Sequence, residues 1–93
     1  EEIEDRLNNL TLVNESLVIS ENDKLVALVY PDYEEAMKSN MSDEQIAAVM
    51  EQNRIELNAM LPNYEQVSQI RIYHEEFEKT PKKSIKRFLY QKE

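Results

Sequence analysis

Glycine and cysteine are both missing from this 93-residue chain, and histidine occurs once, as His74. Each shortage removes a class of chemistry. Phosphate-cradling loops of the Walker and dinucleotide kinds need glycine where the backbone approaches phosphate closely, so this chain alone builds neither. Without cysteine there are no disulfides, thiolate metal sites or cysteine nucleophiles, and the redox compartment leaves no mark. A lone histidine makes no His-rich metal cluster, and no metal site is expected. There is no run of about eighteen apolar residues that would read as a transmembrane segment. The acidic start Glu1-Glu2-Ile3-Glu4 is not a secretory signal, so a cytoplasmic protein is the expectation. Those residues already read as helix, and the chain is expected to be part of something longer.

Cations are scarce as well: 11 Lys and Arg stand against 19 Asp and Glu, for a net charge of −8. General nucleic-acid or anionic-membrane binding needs a broad basic face, and that balance argues against both. A chain of this length supports one domain with one modest core, too small to enclose a large substrate alone. One working surface follows.

The charge is unevenly placed. Glu1 to Glu78 carries five cations and eighteen carboxylates, whereas Lys79 to Lys92 carries six cations and no acid. A compact cationic segment on an acidic body concentrates field on an anionic ligand that the body repels elsewhere. A solvated, frayed tail is the simpler alternative. The segment 79–87 is therefore the first candidate site, and the rest of the chain is its scaffold.

The scaffold reads from periodicity. Ile3, Leu7 and Leu10 give one apolar stripe of a short helix, with glutamates suited to its N-terminus. Leu17 to Ile19 and Leu25 to Val29 read as the arms of a β-hairpin, with Glu21-Asn22-Asp23 as the turn. The continuous apolar run Leu25-Val26-Ala27-Leu28-Val29 predicts a central strand covered on both faces. Asp32 with Glu35, and Ser42 with Gln45, have the spacing of helix N-caps with reciprocal partners, opening one short helix to about Asn40 and a second that Pro62 stops. The second helix places Ile46, Met50, Asn53, Leu57 and Met60 on one stripe, where Asn53 needs a hydrogen-bond partner. The alternation in Ile70-Arg71-Ile72-Tyr73 predicts a third strand. His74 beside Glu75 and Glu76 has the makings of a carboxylate-held base, but a surface histidine at a strand end is the commoner use of such a residue. The fold class expected is α+β: helices packed on a three-stranded sheet.

Thr80-Pro81-Lys82-Lys83-Ser84-Ile85-Lys86-Arg87 resembles the terminal loop of AMP-forming acyl-CoA synthetases. Glu1-Glu2-Ile3-Glu4 resembles the helix after that family's hinge. Leu12 to Val18 and Leu25 to Asp32 resemble its next strands, and Leu61-Pro62-Asn63-Tyr64-Glu65 resembles the approach to its last. The likeness covers essentially the whole chain and is greatest to the long-chain fatty acid branch. It implies the mobile C-terminal domain of a fatty acid–CoA ligase, in which an N-terminal adenylation domain holds ATP, Mg²⁺ and the fatty acid. The small domain closes for adenylation and then rotates for CoA attack. Alone, this chain is expected to fold, to bind ATP negligibly and to be inactive.

The family's loop follows the pattern Thr-x-x-x-Lys-hydrophobic-x-Arg, and Thr80, Ile85 and Arg87 fall on their places. The resemblance implies cofactor contacts for Thr80 and Arg87. Ser84 stands where the family's lysine would be, and Lys83 where a glycine often precedes it. Serine supplies no cation, so the catalytic ammonium is unassigned. In an extended loop Lys82 and Lys86 would share a side with Ser84 and Lys83 would point away. Lys86 and Lys83 are the leading substitutes, followed by Lys82. Alternatively the parent enzyme adenylates slowly, or works chiefly in thioester formation. Phe88 and Tyr90 either anchor the tail to the large domain or pack on this domain's own sheet. The competing reading from another class is a standalone acidic protein-interaction module; a nucleic-acid binder is disfavoured by the acidic body.

Overall fold

The computed structural model describes residues 2–90, so Glu1 and the last of the six clustered cations, Lys92, lie outside the described residues. The elements run α1 (Glu2–Asn8), β1 (Val13–Glu21), β2 (Lys24–Pro31), α2 (Tyr33–Lys38), α3 (Asp43–Ala59) and β3 (Val67–Ile72). Short 3₁₀ turns follow at Asn63–Glu65 and Arg87–Leu89.

The hairpin forms as expected. Glu21 pairs with Lys24 across a two-residue turn, and Asn22 and Asp23 adopt φ of 53° and 66°. Both positions of such a turn need left-handed backbone, which Asn and Asp tolerate better than other non-glycine residues. β2 lies in the middle of the sheet, antiparallel to β1 and parallel to β3. Parallel neighbours require a crossover, which α2 and α3 supply.

Side chains alternate along β2, so its apolar run feeds two cores. Ala27 and Val29 meet Leu7, Met50, Leu57 and Val67 on the helical face. Val26 and Leu28 meet Leu17, Ile19 and Phe77 on the other. That second face has no helix of eight residues or more; Phe77, Ile85 and Tyr90, from the segment after β3, cover it.

α3 starts with a complete capping box: Gln45 N–H donates to Ser42 Oγ at 3.2 Å and Ser42 N–H donates to Gln45 Oε1 at 2.8 Å. At α2 the Asp32 carboxylate accepts from Glu35 N–H at 3.1 Å. Ile46, Met50, Asn53 and Leu57 are buried along α3, whereas Met60 is the half-exposed C-cap beyond the helix. Asn53 has the partner its position demands, donating to Thr11 O at 2.7 Å and tying α3 to the loop before β1. Asn58 fixes the start of β3, accepting from Val67 N–H at 2.8 Å and donating to Val67 O at 2.9 Å.

β1 is an edge strand, and α1 packs against it. The Glu4 carboxylate accepts the Val18 N–H at 2.7 Å, and Ser16 Oγ donates to Asn8 Oδ1 at 2.8 Å. A backbone donor that would otherwise point at solvent is thereby satisfied.

Candidate functional site

The basic segment folds as a small hairpin of its own. Lys79 and Ile85 form an antiparallel bridge, and Lys86 N–H donates to Glu78 O at 2.8 Å. Thr80 N–H donates to Ser84 O, and Lys83 N–H to Thr80 O, each at 2.8 Å. Pro81, Lys82 and Lys83 thus form a three-residue loop whose last member, Lys83, is left-handed at φ 66°. Proline's fixed φ suits the second position of the turn, and the third loop residue of such hairpins is the one that favours glycine. Lys83 therefore occupies a glycine-like backbone position with a side chain that glycine would lack.

This geometry corrects the extended register. Residues 80–83 turn, so the alternation that would have set Lys82 beside Ser84 does not run through them. The second arm begins at Ser84, whose carbonyl accepts from Thr80 N–H, and Ile85 pairs with Lys79. Ile85 packs inward on the second core, while Ser84 is exposed. Thr80 faces its own loop, its hydroxyl accepting from Ser84 N–H at 3.3 Å. Lys86 follows Ile85 and is half-buried. Its backbone is held on both sides, by the bond to Glu78 O and by Leu89 N–H donating to Lys86 O at 3.1 Å.

The cations divide into two sets. Lys79 is held by the scaffold: its ammonium lies 2.5 Å from a Glu15 oxygen and 3.5 Å from Glu76, and donates to Phe77 O at 3.2 Å. The hydrogen bond to Glu15, reinforced by the charges of Glu15 and Glu76, holds its pKa above the ordinary lysine value. The Arg87 guanidinium pairs with Glu4, whose residue exposure is only 7%. Lys82, Lys83 and Lys86 have no ion-pair partner among the described residues, which leaves three ammonium groups on one small loop available to an anion.

Phe88 and Tyr90 part company. Tyr90 packs edge-on against Tyr73 and Phe77 at 5.8 and 5.2 Å between ring centres, and its hydroxyl accepts from Glu78 N–H at 2.9 Å. Phe88 points outward, 73% exposed, beside the half-exposed Leu89. His74 meets neither neighbouring glutamate in a hydrogen bond; its Nδ1 lies 2.9 Å from the Tyr33 hydroxyl, and the two rings stack. These two residues help line a cleft of about 230 Å³ with Asp43, Ile46 and Ile72. Burial, then the charge of Asp43, then Tyr30, raises the pKa of Tyr33. Among the described residues no three His, Asp or Glu side chains gather as a metal site, and no helix is long and apolar enough to cross a membrane.

Sequence reasoning missed Glu4 and Glu15, the two acids that hold the loop's flanking cations. Glu4 lies 83 positions from Arg87, a separation that no local pattern signals.

A small α+β fold with a mixed three-stranded sheet packed against helices matches the C-terminal domain of adenylate-forming enzymes. Residues 1–93 match the family model described as AMP-binding enzyme C-terminal domain, and the chain belongs to that family. Among solved structures it is similar to the adenylation domain of a carboxylate reductase from Mycobacterium chelonae, with TM-score 0.76 and 16% identity over 95% of this chain and 15% of that one. It is also similar to a Mycobacterium tuberculosis fatty acyl CoA synthetase, with TM-score 0.55 and 17% identity over 95% of this chain and 16% of the other. At these identities the likeness carries the fold. No curated protein sequence matches. The chain spans about one-sixth of the solved chains it resembles.

Proposed function

We propose that this chain is the C-terminal domain of a long-chain fatty acid–CoA ligase. It closes on an ATP-bound N-terminal domain for adenylation and rotates for thioester formation with CoA. The family match over residues 1–93 carries the reading; a fatty acyl CoA synthetase among the similar folds supports the substrate class. ATP, fatty acid and CoA are substrates of the proposed whole enzyme, and Mg²⁺ coordination belongs to the other domain. The loop's cationic set fits the anionic groups of those substrates.

In adenylation the acyl carboxylate oxygen bonds to the α-phosphorus of ATP and pyrophosphate leaves. The loop's task is to bring one ammonium to the charge that develops there. An ammonium set in advance in a dry site stabilises such charge by a few kcal/mol, whereas a mobile one forfeits part of that to ordering. Lys86 meets this requirement best of the three. Its backbone is bonded on both sides and it adjoins the partly buried Ile85, which packs on the second core, while Lys82 and Lys83 stand exposed in the turn. Lys86 is accordingly assigned the role that Ser84 is unable to perform, with Lys83 and Lys82 supplying general attraction. Thr80 shapes the loop, and Phe88 with Leu89 offers an apolar contact to the large domain.

The test separates the half-reactions of the full-length parent: ATP–pyrophosphate exchange with a fatty acid, and CoA attack on preformed acyl-adenylate. Lys86→Ala should lower exchange by about a hundredfold, in line with the loss of one charge-stabilising donor, and Lys83→Ala by no more than a few-fold. Weak native exchange that rises in Ser84→Lys, with thioester formation intact, would instead make this a ligase whose adenylation cation was lost. No activity in either half-reaction, with or without Ser84→Lys, would reject the ligase.

A further inference from the structure

We infer that Glu4 and Arg87 form a strut that fixes the basic hairpin to the first helix, making Arg87 a positioning residue and not a phosphate ligand. Glu4 divides its two oxygens: Oε2 accepts the Val18 N–H at 2.7 Å and Oε1 takes the Arg87 guanidinium. One largely buried carboxylate thus joins α1, the edge of β1 and the turn that ends the basic hairpin. A carboxylate already bonded to a fixed backbone donor is a rigid anchor, and the charge-assisted bond from arginine's planar guanidinium to its free oxygen is more directional than lysine's point charge.

The strut has a counterpart on the other arm. Lys79, before the turn, is tied to Glu15 of β1, and Arg87, after it, is tied to Glu4. Both ends of segment 79–87 are therefore pinned to acids of the scaffold, and Lys82, Lys83 and Lys86, without ion-pair partners among the described residues, lie between the pins. When the domain turns, α1 and the hairpin move as one body, and the placement of Lys86 is set by a contact remote from any substrate.

The strut's catalytic consequence rests on the ligase reading, so its test has one arm independent of activity. In the full-length parent, Glu4→Gln keeps an oxygen for Val18 but offers Arg87 no charged acceptor, and Arg87→Gln removes the other partner. Each should slow ATP–pyrophosphate exchange about tenfold, as sub-ångström misplacement of a reacting group does, with KM for ATP little changed. The double variant should be no slower than either single, the signature of two residues acting as a unit. Arg87→Lys, which keeps the charge without the fork, should recover only part of the rate. In the same proteins, hydrogen exchange at the Thr80 and Lys86 amides should quicken in Glu4→Gln.

A large loss in Arg87→Gln with none in Glu4→Gln, or a raised KM for ATP in Arg87→Gln alone, would mean that Arg87 touches phosphate and would overturn the strut. Lowered melting temperatures with unchanged exchange rates would also overturn it, leaving a merely structural pair. If the parent enzyme has neither half-reaction, the ligase reading fails; quickened amide exchange confined to the hairpin still supports the strut, and unchanged amide exchange rejects it.

Discussion

At the scale of single residues, the absence of glycine has a visible cost. Five described residues take positive φ: Leu12, Asn22, Asp23, Asn40 and Lys83. Asn and Asp enter this region readily, while Leu and Lys must accommodate a Cβ close to the carbonyl, at about 1–2 kcal/mol. Lys83 is the informative case, because it sits exposed at a turn with no ion-pair partner among the described residues. Lys83→Gly should stabilise the domain by about 0.5–1 kcal/mol, the steric relief less glycine's extra freedom in the unfolded chain, read as a shifted urea midpoint at unchanged slope. A destabilised variant would show that the lysine side chain contributes more than its backbone strain costs.

At the scale of elements, what was legible in the sequence followed a period. The hairpin, the doubly buried β2 and the stripe of α3 all announce themselves through spacings of 2 or 3.6 residues. The caps announce themselves through side-chain chemistry, and Ser42→Ala, by removing one half of the box at α3, should cost about 1 kcal/mol in thermal or chemical unfolding. The parallel pairing of β2 with β3 was not legible, since an apolar run says that a strand is buried without saying which way its neighbour points. The covering of the second sheet face was hidden for a related reason: Phe77, Ile85 and Tyr90 come from irregular backbone, where no repeat marks the inward residues. Of the candidate site, the clustering of cations in one segment was legible, and that segment folds as one hairpin. The sorting of its cations was not, because Glu15 and Glu4 reach them only through the tertiary fold.

At the scale of the whole molecule, the reversal of charge along the chain is partly neutralised in space. Lys79 and Arg87 are absorbed by the acidic body, so the outward field of the hairpin is that of Lys82, Lys83 and Lys86. Three ammonium groups on one hairpin, set against a net charge of −8, would orient an anionic partner without binding it alone. The 93-residue chain alone should accordingly show no saturable binding of ATP at micromolar concentration by calorimetry. Saturable uptake would mean that it carries a nucleotide pocket of its own.

The contact of α1 with β1 reaches beyond the loop that Glu4 holds. An uncovered strand edge is a template on which another copy can lay down its own backbone, and β1 is such an edge. Glu4 takes the backbone N–H of Val18 on that edge, and Asn8 accepts from the Ser16 hydroxyl beside it. The helix thus takes one backbone donor off the open edge, and a fragment trimmed to begin at the hairpin should expose it and self-associate more readily.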